Sequence, residues 1–297
     1  DGKEFMTGDT KIAMKNLPTS IVEKIKAYDE KSDLARITGV DDGEETTVLD
    51  FGLKKGMNRG TFANVDLGLG NHSRYAERGM GAYFDDKNRL MMFGSANNVN
   101  DMGFPGGGRG RFGAGRQGLN AAKMLGFNYN YEKVKKIRID LSAFWNHNDG
   151  DAFTRSSAEN FVNTTGAFSN SIRQNYSRSD SWNVQGRLEW QPDTMTNIMF
   201  RPTLSWSKSD GLTTSTSASF NADPYLYSES PLDDSELEEM SREGIVVNSQ
   251  KSNSISYSNS KNLSGMLQVN RKLNTRGRSI TFGAGGGYGE SDSESMS

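Results

Sequence analysis

The stretch at residues 181–191 constrains this chain more than any other. Trp182, Val184, Gly186, Leu188 and Trp190 share one parity, and Asn183, Gln185, Arg187 and Glu189 share the other. Successive side chains of a strand point to opposite faces. One face is therefore apolar, with a tryptophan at each end, and the other is polar and charged. The pattern recurs along the chain. Ile137, Ile139, Leu141, Ala143 and Trp145 oppose Arg138, Asp140, Ser142 and Asn146, and Ile198, Phe200, Leu204 and Trp206 oppose Arg201, Thr203 and Ser205. Leu263, Leu267 and Val269 oppose Ser264, Gln268 and Asn270. Leu125, Phe127, Tyr129 and Tyr131 oppose Gly126, Asn128 and Asn130, and Ile280, Phe282, Ala284 and Tyr288 oppose Thr281 and a row of glycines. Earlier strands near residues 62–70, 79–85 and 89–97 alternate less cleanly, so their facing stays open.

A soluble sandwich alternates too. Three features favour a partial transmembrane antiparallel β-barrel, a mainly β up-and-down meander of about nine strands. The strands run about 10–12 residues, close to what a tilted bilayer crossing needs. Aromatics gather near strand ends (Tyr131, Trp145, Trp182, Trp190, Trp206, Tyr288), as at a membrane interface. Short turns at residues 85–88, 132–136, 191–197 and 271–278 alternate with long polar loops at 98–118, 148–180 and 209–254. Pro202 falls inside a strand, where it removes a ladder donor, so a bulge or an edge position is expected.

Composition narrows the function classes. Only 34% of the 297 residues are hydrophobic and mean hydropathy is −0.70, low for a chain with a large buried core. Aromatics still make up 10%, which argues against disorder. A net charge of −2 gives no field to draw the chain to nucleic acid. The absence of cysteine removes disulfides, thiolate nucleophiles and thiolate metal sites. No apolar run approaches the ~18 residues of a transmembrane helix. Residues 1–5 lack the basic-then-apolar pattern of a signal peptide, so an export signal is expected upstream.

Residues 1–58 read differently from the rest, as a small α/β unit. Asp9 and Thr10 cap a helix that ends at Leu17-Pro18, a second helix covers residues 19–24, and extended runs follow at 24–29 and 46–53. Residues 59–297 are the barrel portion. Asp1-Gly2-Lys3-Glu4-Phe5, then Asn16-Leu17-Pro18 with Ile21, Lys24-Ile25 and Tyr28-Asp29, opens a pattern continued by Lys31-Ser32-Asp33, Thr38-Gly39, Asp41-Asp42-Gly43 and Lys54-Lys55-Gly56. Phe93-Gly94-Ser95-Ala96-Asn97-Asn98-Val99-Asn100, followed by a Gly/Arg-rich loop, extends it. Together these resemble the TonB-dependent-receptor-like outer-membrane β-barrel family common in Bacteroidetes. The resemblance implies the C-terminal part of a periplasm-facing plug, followed by the first strands of a barrel of about 22. It also implies plug-gated uptake of a large nutrient across the Gram-negative outer membrane. TonB would act through sequence upstream of residue 1.

The remaining motifs have plain readings. Gly106 to Gly113 lacks the strand, helix and Lys-Ser/Thr of a phosphate loop. Its Arg109 and Arg111, with Arg116, are candidates for touching an anionic ligand or lipopolysaccharide. Asp233-Asp234-Ser235-Glu236-Leu237-Glu238-Glu239 lacks EF-hand spacing and reads as a helical turn in a loop. His72 and His147 stand at loop junctions with no carboxylate pattern beside them, and no metal site, cofactor or catalytic triad is expected. Asp85 and Asp86 suit a turn. Arg138, Asp140, Arg187, Glu189 and Arg201 are the expected lumen-facing residues, in contact with passing solute. Outer-membrane lipid and lipopolysaccharide are the expected surroundings. The alternatives are a non-transporting surface adhesin or assembly barrel, which the absence of a TonB box upstream would favour, and a soluble β-sandwich binding module.

Overall fold

The computed structural model describes residues 22–32, 35, 43–53, 59–100, 118–134, 136–162, 165–274 and 278–297. The expected helix at residues 9–16 and the arginines at 109, 111 and 116 lie outside them. Strands β1 (Val22–Lys31) and β2 (Glu45–Leu53) pair antiparallel as a separate two-stranded sheet, with Tyr28 opposite Val48. The helix expected over residues 19–24 is not borne out at 22–24, which belong to β1. The β-branched Val22 and Ile25 favour the extended state.

Nine further strands make one antiparallel sheet in strict sequence order. They are β3 (Gly60–Leu69), β4 (Tyr75–Phe84), β5 (Asn88–Asn97), β6 (Leu119–Lys133), β7 (Ile137–Glu159), β8 (Phe168–Asp193), β9 (Thr196–Phe220), β10 (Val246–Lys272) and β11 (Ser279–Met296). Short turns force neighbours in sequence to be neighbours in space. The sheet stays open: among the described residues β3 and β11 each pair on one side only. It is a single layer, not two sheets face to face, and Trp182 and Trp190 lie exposed instead of in a shared core.

Three expectations are corrected. Strands β7 to β10 run 23 to 27 residues, not 10–12. Much of the expected loops at 148–180 and 209–254 is ladder: β7 and β8 stay paired out to Glu159 and Phe168, and β9 and β10 out to Phe220 and Val246. What remains at 221–245 is folded. A 3-10 turn at Pro224–Leu226 is followed by helix α1 (Asp234–Arg242), whose Met240 packs with the flanking Leu232 and Ile245 against Phe220 and Ala218. Pro202 needs neither bulge nor edge. Register with β10 is unshifted through Gly265 opposite Pro202, and the one shift between β8 and β9 lies at Trp190/Asp193. The neighbour on the β8 side is Gly186, whose missing side chain leaves room for the ring.

Strands β3 to β6 explain their own irregular alternation. Met80, Ala82, Phe84, Met91, Phe93 and Met124 form a buried apolar cluster, with Phe62 and Phe144 against it. Phe93 and Phe144 ring centroids stand 6.3 Å apart, within aromatic contact range. Val65, Leu67, Leu69 and Met92, of opposite parity, are exposed on the other face. Both faces are apolar here, so period two carries no polar signal.

Candidate functional site

Register turns the alternation into rows across the sheet. From the turn end upward, one face carries Ile137, Trp190, Ile198 and Val269, then Ile139, Leu188, Phe200 and Leu267. The third row is Leu141, Gly186, Pro202 and Gly265, and the fourth Ala143, Val184, Leu204 and Leu263. The fifth aligns Trp145, Trp182 and Trp206 on adjacent strands. Trp145 and Trp182 approach at 6.1 Å, and Trp206 donates its indole N–H to Asn259 at 2.9 Å. An apolar band thus starts beside Trp190 and ends at a line of three tryptophans. Its side chains face outward into open space: Phe200 is 39% and Leu204 42% exposed.

The opposite face is mostly polar across β6 to β10, with Met124, Phe144 and Met199 as apolar exceptions, and is far less exposed, with Glu189 at 4% and Asn270 at 1%. A single sheet shields its own side chains more on the face toward which it curls, so the polar face is the inner one. Arg138, Asp140, Arg187, Glu189 and Arg201 all stand on it. Arg138 is opposite Glu189 and Asp140 opposite Arg187, a checkerboard of opposite charge. Such cross-strand pairs contribute roughly 0.2–1 kcal/mol each. Within the strands, Arg138 Nε donates to Asp140 at 2.8 Å and Arg187 to Glu189 at 3.4 Å. Asn130 and Asn197 donate to Asp140 and Glu189, both at 2.8 Å, which holds the carboxylates in place.

Beyond the tryptophans the first face changes character. The sixth row is Lys123, His147, Asp180, Lys208 and Asn259, and the seventh Ala121, Asp149, Arg178, Asp210 and Tyr257. The eighth returns to apolar residues: Leu119, Tyr176, Leu212 and Ile255, with Asp151 among them. His147 does have carboxylates beside it, contrary to expectation. Its Nδ1 lies 2.8 Å from Asp180 and its Nε2 2.9 Å from Asp149. Burial acts to lower its pKa, but the hydrogen bonds and charges of the two aspartates outweigh burial and raise it. Asp180 sits 33 residues away, so only the β7–β8 register could have revealed the pair.

No protein-family model matches this chain, and no curated protein does.

The acidic run at 233–239 begins helix α1, with Asp234 and Glu236 in its first turn, where carboxylates suit the helix dipole. Lys251 Nζ binds Asp234 at 2.5 Å, tying the helix to β10. No group of three metal-ligating residues occurs among the described residues. Asp85 and Asp193 both close short turns. Asp85 accepts from Asn88 Nδ2 and from the backbone N–H groups of Asn88 and Lys87, which hold its carboxyl far below the usual range. Asp193 is lowered too, chiefly by the Met195 backbone N–H and the Thr196 hydroxyl.

Proposed function

We propose that this chain forms part of the wall of a Gram-negative outer-membrane β-barrel, a receptor of the TonB-dependent type that imports a large nutrient past a plug. The observation that carries the reading is the apolar band bracketed by tryptophans on the exposed face of a single sheet, with charges on the inner face. A soluble protein covers such a band with a second layer. Lipid covers it in a barrel.

The dimensions agree. From Ile137 to Trp145 is eight residues, roughly 26 Å of strand at about 3.3 Å each. Tilted by about 40°, that gives a height of about 20 Å, near the roughly 25 Å band of outer-membrane barrels. The membrane-spanning part of β7 is then 137–145, and the rest of each long strand stands in water outside. Lipid leaves no backbone group unpaired, so closure requires strands beyond the nine described.

The plug reading rests on a smaller feature. Asp50 of β2 lies within electrostatic reach of Arg89, whose parity is that of the inner face. The apolar cluster around Phe93 and Met91 on the same face gives a plug a seat. Arg138, Asp140, Arg187, Glu189 and Arg201 would line the passage beside it.

Single cysteines test the facing, with the unsubstituted protein as the labelling background. Leu188→Cys and Arg187→Cys would be introduced singly into the full-length protein in outer membranes and treated with a membrane-impermeant maleimide. The Arg187→Cys thiol should label, and the Leu188→Cys thiol should resist until the membrane is dissolved. Equal labelling of both in intact membranes would overturn the barrel reading. Energy-dependent uptake lost on deletion of TonB separates the importer from a non-transporting barrel.

A further inference from the structure

The seventh and eighth rows enclose an open groove of about 680 Å³ on the outward face, crossing β6 to β10. That volume lies within the roughly 300–1,000 Å³ of small-molecule sites. One wall is ionic, Asp149, Arg178 and Asp210, ending at Tyr257. The other is mostly apolar, Leu119, Tyr176, Leu212 and Ile255, with Asp151 among them. The two tyrosines stand on adjoining rows, so two aromatic faces flank one channel.

We propose that this groove holds the core saccharide of a lipopolysaccharide molecule from the leaflet around the barrel. The inference rests on the barrel reading above. Three observations point to this ligand. The groove begins two rows past the tryptophans, at the level where acyl chains have ended and sugars begin. The apolar row is exposed although it stands beyond the apolar band, and an exposed apolar patch of this kind marks a contact. The charges select the chemistry. Of the residues that line the groove, Arg74 and Arg178 stand against Asp149, Asp151 and Asp210. Arg178 lies 3.7 Å from Asp149, and Lys208 lies 3.7 Å from Asp210 and 5.5 Å from the Tyr257 ring centre. A phosphate site would carry excess positive charge. Carboxylates in slight excess over cations, between aromatic and aliphatic side chains, suit sugar hydroxyls on one side and sugar C–H faces on the other.

The test uses the full-length protein purified from outer membranes in mild detergent, with a Tyr176→Ala/Tyr257→Ala variant beside it. The probe is purified lipopolysaccharide with complete core, followed by calorimetry, against lipid A without core and against the free core oligosaccharide. Heat-modifiable migration is measured on the same preparations, and the maleimide protection of Leu188→Cys on the membranes they come from. The wild type should bind the complete glycolipid, and the double-alanine variant on the order of tenfold more weakly. Lipid A should show no such difference. Equal binding by a folded variant would overturn the inference alone. So would free oligosaccharide binding as tightly as the glycolipid, which would detach the site from the leaflet. A co-purifying protein that occupies the groove would overturn it as well. A wild type that is not heat-modifiable, together with free labelling of Leu188→Cys in intact membranes, would instead overturn the barrel reading beneath it.

Discussion

Gly186 and Pro202 show how one residue's meaning depends on its neighbour across the sheet. Read alone, a proline inside a strand calls for a bulge. The glycine opposite makes that unnecessary, but the pairing is a property of register and is not visible in either segment alone. A Cβ at Gly186 would sit 2.9 Å from Pro202 Cγ and 3.3 Å from Cδ, and a closed ring cannot swing aside. Gly186→Ala should therefore destabilise the folded full-length protein by about 1–3 kcal/mol. Gly79 is the contrast, since a Cβ there meets nothing within 4 Å. Gly79→Ala should be neutral or stabilise by up to about 1 kcal/mol through reduced chain entropy. Urea midpoints of refolding into lipid vesicles will separate the two. The idea fails if both variants shift in the same direction by the same amount. Phe93 and Gly126 repeat the theme on the inner face, where a Cβ at Gly126 would overlap the tip of the Phe93 ring.

At the scale of elements, the short turns were legible and the long loops were not. Asp at the first position of a turn announces local hydrogen bonding, and Asp85 and Asp193 do bond the backbone just after them. The segments at 148–159 and 168–180 read as loops because Ser, Asn and Asp fill both parities there. Alternation reports a difference between two environments. Where both faces meet water the difference vanishes, yet the ladder persists on its own hydrogen bonds and cross-strand pairs. Composition therefore marked where the apolar band ends and not where the strands end. The turn at residues 85–88 carries a pH prediction. The depressed carboxyl of Asp85 is stabilising above its unfolded pKa of about 3.9. That contribution is lost as pH falls through the still lower folded value. Asp85→Ala should thus be less stable than wild type at pH 7, with the gap closing below about pH 3. A gap of equal size at both pH values in urea titrations of the full-length protein would mean that ionisation of Asp85 plays no part.

For the whole molecule, the order and number of strands in the large sheet followed from alternating turns and period two, while the outer groove and the inner apolar cluster required the register of several strands at once. The open sheet has one further consequence. Edge strand β3 shows Leu69 88% exposed and edge strand β11 shows Phe282 60% exposed. Each edge also offers free N–H and C=O groups along one side, a template for pairing with another chain. In lipid those groups would go unsatisfied, and in water the apolar band adds a second route to association. Neither solvent suits nine strands alone. Residues 1–297 expressed without further strands should therefore aggregate in plain buffer, or stay dispersed only in detergent, whereas a closed barrel should migrate as a heat-modifiable band. Size-exclusion chromatography in detergent-free buffer decides the matter. A sharp monomer peak that unfolds cooperatively would show that the apolar band is covered within this chain, and the barrel reading would have to be abandoned.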